Sequence, residues 1–237
     1  LSGNIHLLLY YRDMKENILI IGFGDIGQRV VTNLNSKNYN FVTVNRSYNS
    51  NKTEITHISW DWLSKENLKL PFKNFKRIIF IPKPSEITEE GYKNGFNKSI
   101  KNIMVSLNDI TYESFIAISS TRIFGSNQFG ILDEASLPKP DCFRGKIILE
   151  YEAFLKKNIL NNLSILRFGG LYLSGTKIPE FNNKLDRDHA SQIICFFIEN
   201  NFEGIFNCTE NKILNPHARS VSGEKINNTN FIMSSND

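Results

Sequence analysis

The residues with the clearest chemical use lie early in the chain. Gly22-Phe23-Gly24-Asp25-Ile26-Gly27 carries three glycines at GxGxxG spacing. It follows the short β-branched run Asn17–Gly22 and opens a stretch of helical periodicity through Ile26, Val30, Val31 and Leu34. In a strand–turn–helix each glycine has its own use. Gly22 permits a tight turn, Gly24 lets the backbone approach a diphosphate with no side chain between, and Gly27 lets the helix lie close on the strand. The helix N-terminus then turns N–H groups and a partial positive charge toward the phosphates. A glycine-rich turn without a ligand is the competing reading. The place of this hexapeptide at the first strand of a repeating α/β pattern favours the dinucleotide.

The end of the second strand bears on which dinucleotide. An NAD site carries an acidic residue about 20 positions on, to hold the ribose 2′-hydroxyl. Here the chain reads Val44-Asn45-Arg46-Ser47, with no carboxylate. A 2′-phosphate suits Arg46, with Ser47 as a second donor, so the pattern favours NADP over NAD. The competing reading of Arg46 is a solvated surface cation. Asp61, after the third strand, could accept a hydrogen bond from an adenine amino group or simply close a surface turn.

The elements that must position these residues alternate regularly. Apolar runs at Asn17–Gly22, Phe41–Val44, Ile55–Trp60, Arg77–Ile81, Phe115–Ser119, Leu163–Arg167 and Ile205–Asn207 read as strands. Between them, helical spacing predicts a long helix over Glu89–Leu107, and others over Arg144–Lys157 and Asp188–Asn200. Thr121–Pro140 reads as loop. Alternation of this kind predicts βαβ units and a doubly wound, mostly parallel sheet of the Rossmann type. Residues 17–210 are expected to form this domain. Residues 1–16 read as a non-core extension and 211–237 as a weakly structured C-terminal segment.

Composition narrows the classes. With 41% apolar and 22% charged residues in 237, the chain can bury a core and is not of disordered type. A net charge of +4, dispersed along the sequence, gives no argument for nucleic acid. No apolar stretch reaches the roughly 18 residues of a spanning helix, and a cytoplasmic location is expected. Three cysteines without short spacing suggest neither a disulfide framework nor a zinc site, and the four histidines show no ligand pairing. No metal is expected.

Three further segments carry a family resemblance. They are Ile118-Ser119-Ser120-Thr121-Arg122-Ile123-Phe124-Gly125 followed by Leu132-Asp133-Glu134, then Lys146 opening KIILEYE, then Ile165-Leu166-Arg167-Phe168-Gly169-Gly170-Leu171-Tyr172. With GFGDIG, their order and spacing resemble the extended or atypical short-chain dehydrogenase/reductases, in particular the NAD-dependent epimerase/dehydratase group. That group often shows SSxxVYG, DE, YxxxK and LRxxGxYGPG. The resemblance implies a catalytic Ser, Tyr and Lys. The Ser orients a substrate hydroxyl. The Tyr moves a proton as hydride passes to or from the nicotinamide. The Lys holds the nicotinamide ribose and lowers the phenol pKa. By position Ser120 matches the Ser and Lys146 the Lys, but the Tyr position is Cys142.

Other departures follow. Phe124 replaces the Tyr of VYG, and Leu173-Ser174-Gly175-Thr176 replaces the usual turn after GxY. Leu185-Asp186-Arg187-Asp188-His189 is a distant echo of IHVDD. The C-terminal part, a substrate lobe in that family, is reduced here. Tyr151, five positions after Lys146, reads as core packing, and Tyr172 could line the pocket beside the nicotinamide or simply pack there. The resemblance implies a small nucleotide-sugar or related carbonyl/hydroxyl substrate, and a homodimer formed through the two long helices. The alternative is a dinucleotide-binding sensor or partner protein without turnover, because of Cys142.

Overall fold

The computed structural model describes residues 15–34, 36, 38–47, 55–126, 131–176, 183–210 and 220–221, with the backbone alone at 131, 220 and 221. The expectations for residues 1–14 and for most of 211–237 lie outside the described residues. β1 (Glu16–Ile21), β2 (Tyr39–Asn45), β3 (Ile55–Ser59), β4 (Asn74–Phe80) and β5 (Thr111–Ser120) supply one part of the main sheet. β6 (Ile131–Leu132) is a short strand apart from it. β7 (Leu163–Phe168) continues the sheet, β8 (Gly170–Tyr172) and β9 (Lys184–Asp186) form a small pair beside it, and β10 (Gly204–Cys208) is its last strand.

The seven strands lie in the order β10-β7-β5-β4-β1-β2-β3, and each neighbouring pair is parallel. The fold is Rossmann-type α/β. All seven carboxyl ends therefore face one edge. The chain builds outward from β1 to β3, then crosses back to β4 beside β1, so the switch in direction falls between β1 and β4. Ligands of open parallel sheets sit in the crevice at such a point.

Helices cover both faces. α1 (Asp25–Asn33) follows β1. After β4 come α2 (Glu89–Tyr92), a π-helical segment (Lys93–Lys98) and α3 (Ser99–Ser106). α4 (Phe143–Asn158) precedes β7, and α5 (Arg187–Glu199) precedes β10. Alternate residues of one strand serve the two faces. Phe115 and Ala117 pack toward Phe96, Ile100, Ile148 and Tyr151, while Ile116 and Ile118 pack toward Val30, Ile193 and Ile194. These strands are buried on both sides, which is why they read as continuous apolar runs.

Two differences from the sequence reading have local causes. The helix expected over Glu89–Leu107 contains one wide turn. Gly91 and Gly95, four residues apart across it, both press on the loop after β4. A Cβ on Gly91 would stand 2.5 Å from the Glu86 carbonyl oxygen, and one on Gly95 2.4 Å from that of Lys83. The span expected as loop after β5 begins with a 3-10 turn (Thr121–Phe124), and β6 pairs with β11 (Ser220–Val221). Both elements are too short to show periodicity.

Candidate functional site

The turn after β1 is held from two sides. Gly22 N and Phe23 N both donate to the Val44 carbonyl, at 3.0 and 3.1 Å. Gly22 has φ +94°, and a Cβ there would lie 2.1 Å from the Ile81 carbonyl oxygen, so a side chain is excluded twice over. Gly27 lies under Phe23 and Ile20, with would-be contacts at 3.0 and 3.4 Å. Phe23 itself is buried, so its backbone alone faces the edge.

Gly24 differs from both. A Cβ there meets nothing within 4 Å. It is the N-cap of α1, and α1 has no side-chain cap. The first N–H groups of a helix have no partner within it, so those of Asp25, Ile26 and Gly27 have no acceptor in α1 and no capping side chain. A helix start of this kind offers N–H donors and a partial positive charge of the sort an anionic group takes, with the Asp25 carboxylate beside it.

Around the cradle the expected residues take distinct places. Arg46 and Ser47 are exposed just past the end of β2. Asn45, which sequence reasoning passed over, ties that end to the turn: its Nδ2 donates to the Phe23 carbonyl at 3.0 Å and its Oδ1 accepts from Arg46 N at 2.9 Å. One amide thus fixes Arg46 relative to the glycine turn, and its place at the end of β2 was the available signal. Asp61 is half-buried and accepts from Leu63 N at 2.9 Å, so it closes its own turn and keeps lone pairs in reserve.

The second group lies on the other side of the switch point, after β5. Ser120 ends the strand and caps the 3-10 turn, accepting from Arg122 N at 3.3 Å. α4 is seated on that turn at Gly145, where a Cβ would lie 2.7 Å from the Arg122 carbonyl oxygen. Cys142 is the N-cap of α4, half-buried and extended, with its carbonyl accepting from Lys146 N at 3.1 Å. Lys146 is exposed, between the buried Gly145 and Ile147. The structure therefore brings Ser120, Cys142 and Lys146 to adjoining turns, with no hydrogen bond among their side chains.

Three other features of this region were not legible as site features. The Arg144 guanidinium lies 5.8 Å from the Tyr92 ring centre and 5.7 Å from that of Phe143. Glu152 and Arg167, both buried, pair through two bonds of 3.0 and 2.8 Å, and Ser119 Oγ donates to Glu152 at 2.6 Å. The pairing anchors α4 to β7 and β5, one strand residue before Ser120. Thr121, next to Ser120, bonds the Phe168 carbonyl at 3.4 Å and accepts from Asn183 Nδ2 at 2.9 Å.

Tyr151 packs against the Phe80 and Phe96 rings, and Tyr172 belongs to a separate hydrogen-bonded cluster. Tyr151 is enclosed, and burial pushes its pKa well up. Tyr172 donates to Glu210 Oε2 at 2.7 Å, and burial together with that carboxylate raises its pKa far above the ordinary phenol value. Glu210 also accepts from Asp186 N at 2.6 Å and lies 3.1 Å from His189 Nδ1. This cluster holds β8, β9 and the start of α5 together. Cys195 and Cys208 are buried thiols, Cys195 pushed up to about 12 by burial. Among the described residues no group of His, Cys, Asp and Glu could hold a metal ion, and no helix is long and apolar enough to cross a membrane.

Comparison with solved structures decides the fold. An NAD-dependent epimerase/dehydratase assignment attaches to a Methylobacillus flagellatus protein that superposes with a TM-score of 0.72 at 18% identity, over 94% of this chain and 95% of that one. The two chains share a Rossmann-type α/β fold. UDP-glucuronic acid 4-epimerase from Bacillus cereus, in complex with NAD, superposes with a TM-score of 0.70 at 15% identity, over 90% and 89% of the two chains. UDP-N-acetylglucosamine 4-epimerase from Methanobrevibacter ruminantium M1, in complex with UDP-N-acetylmuramic acid, gives 0.69 at 14%, over 94% of each. No family model matches the chain. Comparison with curated proteins finds no match. The Rossmann-type α/β fold expected from the alternation of strands and helices is thus shared with these proteins over nine-tenths of the chain or more.

Proposed function

We propose that this chain binds a pyridine dinucleotide in the turn between β1 and α1, NADP in preference to NAD. We further propose that it acts as a reductase-like or epimerase/dehydratase-like protein of the extended short-chain dehydrogenase family. The observation that carries the reading is Gly24: open space beside a helix N-terminus that no side chain caps. Phe23, Gly24, Asp25, Ile26 and Gly27 line the diphosphate, with Gly22 making the turn. Arg46, held by Asn45, meets a 2′-phosphate with Ser47 beside it, and Asp61 receives the adenine amino group.

When bound, the cofactor supplies hydride chemistry. Ser120 orients a substrate hydroxyl or carbonyl, and Lys146 approaches the nicotinamide ribose. Cys142 or a water stands in for the missing phenol as the proton donor. The substrate class is a nucleotide-linked sugar or a related small carbonyl/hydroxyl compound, in line with the names of the two solved 4-epimerases and with the UDP-N-acetylmuramic acid bound to one of them. The same reading goes with a cytoplasmic protein, and with a homodimer formed through the helices over 89–106 and 143–158.

One set of observations favours a second reading, a dinucleotide-binding sensor or partner protein without turnover. Cys142 lies outside the first turn of α4, Lys146 is exposed, and both nearby phenols carry raised pKa values. Fluorescence titration with NADPH and NADH tests the shared part. Both should bind, NADPH more tightly, and equal affinity would remove the role of Arg46. Hydride exchange against UDP-glucuronic acid and UDP-glucose then separates the two readings. Exchange supports the enzyme, and binding without exchange supports the sensor.

A further inference from the structure

Beside the glycine turn lies a charged ladder that the motif does not include. α1 and α5 run side by side, tied by contacts that step down α1 in fours. Asp25 Oδ2 meets Arg187 Nη1 at 3.2 Å, Arg29 pairs with Asp188, and Asn33 Nδ2 donates to Ser191 Oγ at 2.9 Å. Both helices thus begin at the same edge of the sheet. Arg187, the first residue of α5, is held at the first turn of α1 by packed helices and not by a loop. Asp186 caps α5 by accepting from Asp188 N at 2.7 Å, which fixes the helix start itself.

The charges in this ladder are unevenly used. Asp25 places a carboxylate in the first turn of α1, where it gains from the helix dipole. A diphosphate bound at the same helix start would lie within a turn of this carboxylate, and like charges oppose each other. Asp25 Oδ1 is taken by Arg29 Nε at 3.1 Å, and Arg29 is shared with Asp188. Arg187 meets only Asp25 among the described residues, through one nitrogen, with its side chain 40% exposed. The rest of its planar donor fork is free to meet an oxyanion while the Asp25 bond persists.

We propose that Arg187 is a binding residue for the cofactor diphosphate, bridging it to Asp25. It would offset the carboxylate that the GFGDIG turn carries into the phosphate site. The inference rests on the dinucleotide reading of the turn and adds to it a cation contributed from about 160 residues further along the chain.

Four proteins are compared by NADPH fluorescence titration, with thermal unfolding of each: wild type, Arg187→Gln, Arg187→Lys and Asp25→Asn. Arg187→Gln should weaken NADPH about tenfold, with Arg187→Lys intermediate, since a point charge replaces part of the fork. Asp25→Asn should bind as tightly as wild type or more so, because it removes a negative charge and leaves Arg187 to the ligand. If Arg187 merely holds Asp25 in place, Asp25→Asn and Arg187→Gln will weaken binding alike, and the proposal is overturned. Undiminished binding by Arg187→Gln overturns it too, and leaves the reading of the turn standing. Absence of binding by the folded wild type overturns that reading, and this inference with it.

Discussion

The turn after β1 and the turn after β5 stand on the two sides of the switch point and differ in how they are specified. In the first, six consecutive residues carry the pattern, Gly22 and Gly27 answering to close contacts and Gly24 to open space. In the second, Ser120, Cys142 and Lys146 are drawn from a strand end, a helix cap and a helix face. What brings them near one another is the seat of Gly145 on the Arg122 carbonyl and the buried Glu152–Arg167 pair. A phosphate site can be written in one short stretch of chain. A proton-transfer site depends on helix register, which distant residues set.

The contrast can be broken at its strongest points first. Gly22→Ala should prevent folding, since a side chain combines left-handed strain of about 1–3 kcal/mol with a backbone clash. A soluble protein with an unchanged thermal midpoint would show that the turn is looser than described. Glu152→Ala should cost about 3–5 kcal/mol in urea unfolding, because Arg167 is left buried and unpaired. A cost below 1 kcal/mol, well under that range, would mean that the pair does not anchor α4.

Smaller effects sharpen the same comparison. Arg46→Ala should reduce the ratio of NADPH to NADH affinity about tenfold, the loss of one charge-assisted contact. Lys146→Ala should leave the unfolding midpoint in place, because the side chain is exposed, and lower hydride exchange if the chain turns over. Unchanged exchange removes Lys146 from the site. The smallest test is thiol labelling at neutral pH. Cys142 should react first, and Cys195 and Cys208 only on unfolding, since burial raises both of their pKa values.

Much of the fold was legible because its determinants are local and periodic. The central strands are buried on both faces, and the alternation of strands with helices left few arrangements. The β8–β9 pair was missed because three-residue strands show no periodicity, and the wide turn at Lys93–Lys98 because glycine contacts with another loop set it. The glycine turn was legible for the same local reason. Asn45 and Arg187 were not, although Asn45 adjoins the residue singled out for the 2′-phosphate. Arg187 gains its place only through the packing of α5 on α1, a contact between residues far apart in sequence.

The central claim is that the open space beside Gly24 is a ligand site and not a packing accident. Gly24→Val is the direct test, because a Cβ at this position meets nothing within 4 Å in the folded protein. Calorimetric titration with NADPH, alongside thermal unfolding, should show wild-type binding abolished in the variant while the melting midpoint stays within about 2 °C, as expected for a change well under 1 kcal/mol. Equal heats of binding for wild type and Gly24→Val, or no heat from the folded wild type, would contradict the account.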